Sequence, residues 1–334
     1  MSKSSLVIVS LVVILLAIGA YFLLTPEKKE ERIYRVGVLW TGGEFFNDLF
    51  DAFKEEMTGL GYVEGKNIIY DVYMATEPVG NEVIVQKYVN EKVDLIFSFA
   101  TEATIEAKEA AAETEIPVVF TSTFIEGTDL VESIVLPGDN ITGVRYPTTE
   151  SAVGRLEYLH RITPQAKRIW IPCLKDYPTV DPQLKAMEPV ASSLGVTLIP
   201  GLYTSPAEVK AYIDEYTASS NVGIDAIIML AEPFSITPEV TEPVFEFADE
   251  YGLPVGSAMI FKEAYGPVIG FHPTNSKMGS LAASLVGEVL GGAPAGTLAV
   301  VTADNDLRIN YKVAQKLGLE VSEGLLERAI EIIY

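Results

Sequence analysis

From Ile33 onward the chain alternates short apolar, β-branched runs with amphipathic stripes of helical period, and it does so twice. This constrains the fold most, because strands separated by helices pair in parallel, and a parallel sheet needs helices on both faces. The first pass predicts strands at Tyr34–Trp40, Ile68–Met74, Leu95–Phe99 and Pro117–Phe120, with helices at Phe45–Leu60, Val83–Glu91 and Thr104–Glu113. Phe46, Leu49, Phe50, Phe53 and Met57 form one helical stripe. A turn at Pro137-Gly138-Asp139-Asn140 leads into Ile141–Val144.

After Tyr146-Pro147 the alternation restarts as a loose repeat. Helices are expected at Ser151–Arg161, Gln183–Leu194, Ala207–Tyr216 and Pro238–Glu250, and strands at Arg168–Leu174, Thr197–Leu202, Asp225–Leu230 and Leu253–Gly256. The fold class is therefore α/β, with two doubly wound lobes joined by a hinge of several strands. Residues 33–144 plus 260–306 are assigned to the first lobe, and 145–259 plus 307–334 to the second. The return crossing is placed near Ala258–Tyr265, with strand Val268–His272 and helix Ser276–Leu290 in the first lobe. Strand Leu298–Thr302 follows, Leu307–Asn310 carries a third crossing, and Glu323–Ile333 is read as a final helix on the second lobe.

Residues 1–32 read as a signal or anchor segment and linker. Lys3 precedes Ser4–Leu24, an uncharged run rich in Leu, Val, Ile and Ala. About 20 such residues span a bilayer, so the run is a membrane anchor or a long signal core, and Ala17-Ile18-Gly19 offers a cleavage site. The expected location is extracytoplasmic, tethered by this helix, or secreted if it is removed. A net charge of −22, from 24 Lys+Arg against 46 Asp+Glu, disfavours nucleic acid as a partner. The single cysteine, Cys173, excludes an internal disulfide and sits in a strand-like run, where a buried inert thiol is expected. His160 and His272 stand far apart without a ligand spacing, so neither a metal site nor a cofactor is expected. Asn140-Ile141-Thr142 is a sequon that reads more simply as turn chemistry.

In open α/β sheets the ligand crevice lies at the carboxyl ends of the strands. The loops there supply the candidate site: Thr41, Gly42 and Phe45 after the first strand, Thr101 and Glu102 after the third, and Thr121, Ser122 and Thr123 after the fourth. Two of these loops enter helices whose first N–H groups suit an anion. Thr101 reads equally as a plain helix cap. From the second lobe come Tyr177, Glu232 and Phe234, with Tyr146 at the hinge and His272 at a strand end. Glu232 is the acid placed to meet a ligand ammonium, or else a solvated surface acid. Phe45, Tyr146, Tyr177 and Phe234 form an aromatic wall or pack the core.

Gly61-Tyr62-Val63-Glu64-Gly65-Lys66-Asn67-Ile68 resembles a run of the ABC-transporter substrate-binding family that includes tryptophan- and phenylalanine-binding members. Val93–Ile96, Ile116–Phe120, Pro137–Val144, Ile309-Asn310 and Ala314–Leu319 resemble further runs in the same order. The resemblance implies a type I periplasmic-binding-protein fold, two Rossmann-like lobes clamping a small solute, an ABC permease as membrane partner and a monomeric receptor. It suggests an amino acid, aromatic or other, as solute. The family's Asp-Pro-Val after the fourth strand is replaced here by Phe124-Ile125-Glu126-Gly127-Thr128-Asp129-Leu130.

Three function classes remain on the sequence. A solute-binding protein of an ABC importer fits best. A tethered sensor for a nucleoside or short peptide is compatible with the same anchor. An enzyme on this fold finds no support in motifs: there is no G-x-S-x-G and no Cys-His pair at usable spacing.

Overall fold

The computed structural model describes residues 32–41, 43–75, 81–218, 223–258 and 265–334. The apolar run Ser4–Leu24 lies outside them. Among the described residues no helix is long and apolar enough to cross a membrane.

The described chain builds two sheets. The first comprises β1 (Tyr34–Thr41), β2 (Ile68–Ala75), β3 (Leu95–Phe99), β4 (Val118–Thr123), β5 (Ile141–Arg145) and β11 (Val301–Thr302), in the order β11-β5-β4-β3-β1-β2. The second comprises β6 (Arg168–Leu174), β7 (Thr197–Tyr203), β8 (Ala226–Ile228), β9 (Val255–Ser257), β10 (Ile269–His272), β12 (Asp306–Asn310) and β13 (Glu331–Ile333), in the order β13-β12-β10-β9-β8-β6-β7. Pairings are parallel except β10 with β12. β3, β4 and β5 are buried along their whole length, as strands covered on both faces must be.

The helices are α1 (Asn47–Gly59), α2 (Asn81–Glu91), α3 (Thr101–Ala111), α4 (Thr148–Ile162), α5 (Val180–Leu194), α6 (Pro206–Ala218), α7 (Pro238–Tyr251), α8 (Asn275–Leu290), α9 (Tyr311–Lys316) and α10 (Glu323–Leu326). The stripe read from the sequence becomes the buried face of α1, through Leu49, Phe50, Phe53 and Met57. That face meets α8, and α4 packs on α5 and β10. Thr274 caps α8 by accepting the N–H of Lys277 at 3.1 Å.

Two expectations need correction. β10 joins the second sheet, because its backbone groups pair with β9 and β12. The chain therefore returns to the first sheet at Pro273-Thr274, later than expected. The Glu323–Ile333 segment is not one helix either. It ends as a helix at Leu326 and adds β13 to the open edge of β12, where Arg308 pairs with Glu331 in register. Edge pairing by the β-branched Ile332 and Ile333 outweighs a modest local helix preference.

Three crossovers thus join the sheets, at 146–147, 273–274 and 303–305. Arg145, at the last position of β5 and 6 % exposed, fastens the first of them. Its guanidinium bonds Glu126 from the β4–β5 loop and Glu150 from α4, and its Nε donates to Thr302 Oγ1 at 2.9 Å. Burial works against its charge, but Glu150 and Glu126 more than compensate, and its pKa is raised. Asn140, of the turn before β5, commits its amide to the carbonyls of Ile116 and Ala111.

The α1–α8 contact is close enough to require glycine. A Cβ on Gly279 would lie 2.1 Å from the Leu49 carbonyl oxygen, a backbone atom that cannot rotate away. Gly279→Ala is expected to destabilise the protein by about 1–3 kcal/mol through overpacking, read as a lower midpoint in thermal denaturation. An unchanged midpoint would show that α8 can shift freely on α1.

Candidate functional site

The loops at the strand ends enclose a cleft of about 460 Å³ between the two sheets, within the usual size range of a small-molecule site. Of the residues expected there, Thr41, Phe45, Thr101, Glu102, Ser122, Tyr146, Tyr177, Glu232 and His272 line it. Gly42 lies outside the described residues.

The first-sheet wall begins with a 3₁₀ turn, Gly43–Phe46, held by Trp40 Nε1 donating to the Gly43 carbonyl at 3.0 Å. The turn presents Phe45 and Phe46, packed edge to face at 4.9 Å. At the start of α3, Thr101 is not a side-chain cap. Its Oγ1 accepts the N–H of Phe124 at 3.1 Å and so ties the β3 loop to the β4 loop. Phe124 stands edge-on to Tyr146, with ring centres 5.4 Å apart.

The hydroxyl shelf is smaller than expected. β4 does not end at Phe120 but runs on through Thr121–Thr123, with a register shift against β5 and Ser122 at φ +48°. This irregularity brings Ser122 to the cleft. Thr121 and Thr123 do not line it. Thr121 Oγ1 donates to the Met278 carbonyl at 3.1 Å, and Thr123 Oγ1 to the Thr121 carbonyl at 2.9 Å. A left-handed serine costs of order 1–3 kcal/mol, which surrounding contacts must offset.

On the second-sheet side Glu232 follows β8 and opens the 3₁₀ turn Pro233–Ser235. Its Oε2 accepts the Phe234 N–H at 3.0 Å, while Oε1 is buried with no hydrogen-bond partner. The residue is 3 % exposed. Desolvation raises its pKa to about 8, although the N–H groups of Phe234 and Leu174 pull the other way. Phe234 itself turns inward, packing with Trp170, Met229 and Val240, and does not line the cleft.

Buried groups hold Glu232 in place. Gln183 Oε1 accepts the Ala231 N–H at 3.0 Å and its Nε2 donates to the Ala231 carbonyl at 3.1 Å, where Thr179 Oγ1 also donates. Tyr177 reaches across from the β6 loop, and its hydroxyl donates to Glu102 Oε1 at 3.1 Å. Burial, together with the charges of Glu102 and Glu232, raises the phenol pKa. A second approach between the sheets needs glycine: Gly127, at φ +77°, would place a Cβ 2.3 Å from the Pro178 carbonyl oxygen.

His272 lines the cleft from the hinge side. Its Nε2 accepts from Arg308 at 3.0 Å, so Nδ1 carries the proton and donates to the Pro273 carbonyl at 2.6 Å. Burial and then Arg308 lower its pKa to about 3, against the pull of Pro273, so the ring stays neutral. No Lys or Arg is among the described residues lining the cleft. Arg155 is fully buried at the hinge, donating to the Ser151 and Met229 carbonyls, and does not line it either.

Sequence reasoning missed Phe46, Phe124, Ile236, Thr237, Asn275 and Met278, which also line the cleft. Phe46 read as the top of the α1 stripe, and Phe124 followed a strand expected to end earlier. Met278 comes from α8, whose place beside β4 no local pattern reveals. Among the described residues no group of three His, Cys, Asp or Glu side chains is placed to hold a metal. Cys173 is buried, and burial raises its thiol pKa. The cleft thus offers recognition chemistry: aromatic faces, hydroxyls and two acids.

Several solved structures share this architecture. A conserved domain protein from Vibrio cholerae O1 biovar El Tor matches with a TM-score of 0.75 at 23% identity, covering 90% of this chain and 100% of that one. An ABC domain in complex with L-Trp from Streptococcus pneumoniae matches with a TM-score of 0.76 at 20% identity, covering 90% and 100%. A ligand-free, open substrate-binding protein with adhesive properties from Clostridium difficile matches with a TM-score of 0.70 at 22% identity, covering 90% and 99%. No curated protein sequence matches this chain. The profile of one family, described as ABC transporter substrate binding protein, spans residues 44–333. With two lobes, a cleft between them and that match over most of its length, the chain belongs to the ABC transporter substrate-binding protein family.

Proposed function

We propose that the protein is the extracytoplasmic solute receptor of an ABC importer, tethered through residues 4–24 and acting as a monomer that hands its solute to a membrane permease. The solute is an amine with an aromatic or apolar body, a class that includes the aromatic amino acids. The observation that carries this reading is Glu232: a buried carboxylate with one oxygen unpartnered, at the wall of a cleft furnished with Phe45, Phe46, Phe124, Tyr146 and Tyr177. An ammonium group there would restore the charge compensation that burial removed, and a ring would stack on the aromatic lining. The L-Trp complex of the Streptococcus pneumoniae domain, on the same fold, supports this choice of class.

The binding step is lobe closure. Three short crossovers permit hinge motion, and the Tyr177–Glu102 hydrogen bond and the Gly127–Pro178 approach join the two sides when the cleft is shut. A thermal-shift screen against amino acids and related amines tests the reading. A true solute at ~100 times its dissociation constant adds roughly 2.7 kcal/mol of stability. Glu232→Gln is expected to weaken that solute by more than tenfold in calorimetric titration; equal affinity would remove Glu232 from the site.

Glu232 also makes stability depend on pH. Its folded pKa of about 8 lies above the ordinary 4.5, so the folded state holds the proton more tightly than the unfolded state. The resulting stabilisation is full below pH 4.5 and is lost as pH rises toward 8. The melting temperature of the solute-free protein, relative to that of Glu232→Gln, should therefore fall across this window. Affinity for an ammonium solute should rise over the upper part of it, as the carboxylate ionises. A flat difference between the two proteins would show that Glu232 is solvated.

A further inference from the structure

We infer that the solute is an amine without a carboxylate, an organic cation rather than a zwitterionic amino acid; this rests on the reading of the cleft as an amine site. The cleft carries two acids and, among the described residues, no basic side chain. Glu102 and Glu232 come from opposite lobes, and the Tyr177 hydroxyl stands in the field of both. Glu232 lines the cavity and keeps a buried oxygen without a partner, which an ammonium group entering the cleft would engage. Glu102 leaves a further negative charge, which a zwitterion does not neutralise.

Among the described residues that line the cleft, no side chain offers a ligand carboxylate a positive charge. The best anion position on this fold is the start of α3, with its free N–H groups. Glu102 lies in that first turn, and its carboxylate disfavours a second anion there. His272 is held neutral and its ring nitrogens are both engaged. Arg155 spends its Nε and Nη1 on backbone carbonyls, and although its Nη2 is buried without a partner, the residue lies outside the lining, behind Tyr146.

The approach to the cleft has the same sign. An outer depression shares Phe45, His272 and Asn275 with it and is bordered by Asp48, Asp51 and Glu55 of α1. The base on its border, Arg308, bonds His272 and lies 3.6 Å from Glu331, which also borders it. Such a field raises the local concentration of cations and disfavours anions.

Matched pairs differing only in the carboxylate test the inference: tryptamine against tryptophan, and 2-phenylethylamine against phenylalanine, titrated calorimetrically into the protein just above pH 8, where the Glu232 carboxylate is ionised. The amine of at least one pair is expected to bind at least ~10-fold more tightly than its amino acid. Glu102→Gln should narrow that gap by improving the amino acid's affinity. Equal or tighter binding of the amino acids to the unaltered protein overturns the inference while leaving the amine-site reading intact. Binding by neither member of either pair removes both.

Discussion

Parallel strands all end at the same edge of their sheet, and this places every loop that matters here in one crevice. β1, β3 and β4 deliver Thr41, Thr101 and Ser122 to one wall, while β6 and β8 deliver Tyr177 and Glu232 to the other. Because the chain crosses between sheets three times, the two edges stay face to face. Arg145 is the fastening of the first crossover. Its guanidinium joins a loop of the first lobe to the first turn of α4, so the hinge is built from a charge network rather than from packing alone.

The site itself turns on desolvation. Glu232 is held in an apolar setting by backbone contacts, and Gln183 and Thr179 fix the segment before it. One oxygen is satisfied and one is not. Burying a carboxylate in that state is costly, and a positively charged solute, as proposed above, would recover that cost. The strained Ser122 belongs to the same economy of local disadvantage: a left-handed backbone in a buried strand carries a hydroxyl to the cleft that regular pleating would have turned elsewhere. Both positions trade local stability for a polar group presented at the cleft.

The loop Phe124–Leu130, set apart in the sequence by its lack of an Asp-Pro-Val, proves central to the geometry. Phe124 lines the cleft against Tyr146, Glu126 pairs with Arg145, and Gly127 admits Pro178 from the other lobe. A single short segment therefore touches the cleft, the first crossover and the approach between the two sides. None of these roles is visible in the residues themselves, because each depends on a partner more than fifteen positions away.

The sequence by itself determined the α/β class, the order of most strands and helices, and the loops that could line a crevice. Those features follow from local periodicity and from the geometry of parallel sheets, so Leu95–Phe99 and Arg168–Leu174 are read without reference to anything distant. Only the tertiary structure decided which sheet receives β10, that Glu331–Ile333 is a strand, that Thr121, Thr123 and Phe234 face away from the cleft, and that Glu232 is buried with an oxygen to spare. The physical reason is the same throughout. Strand pairing, side-chain facing around a bulge and desolvation are set by atoms remote in the chain, and a local pattern carries no record of them.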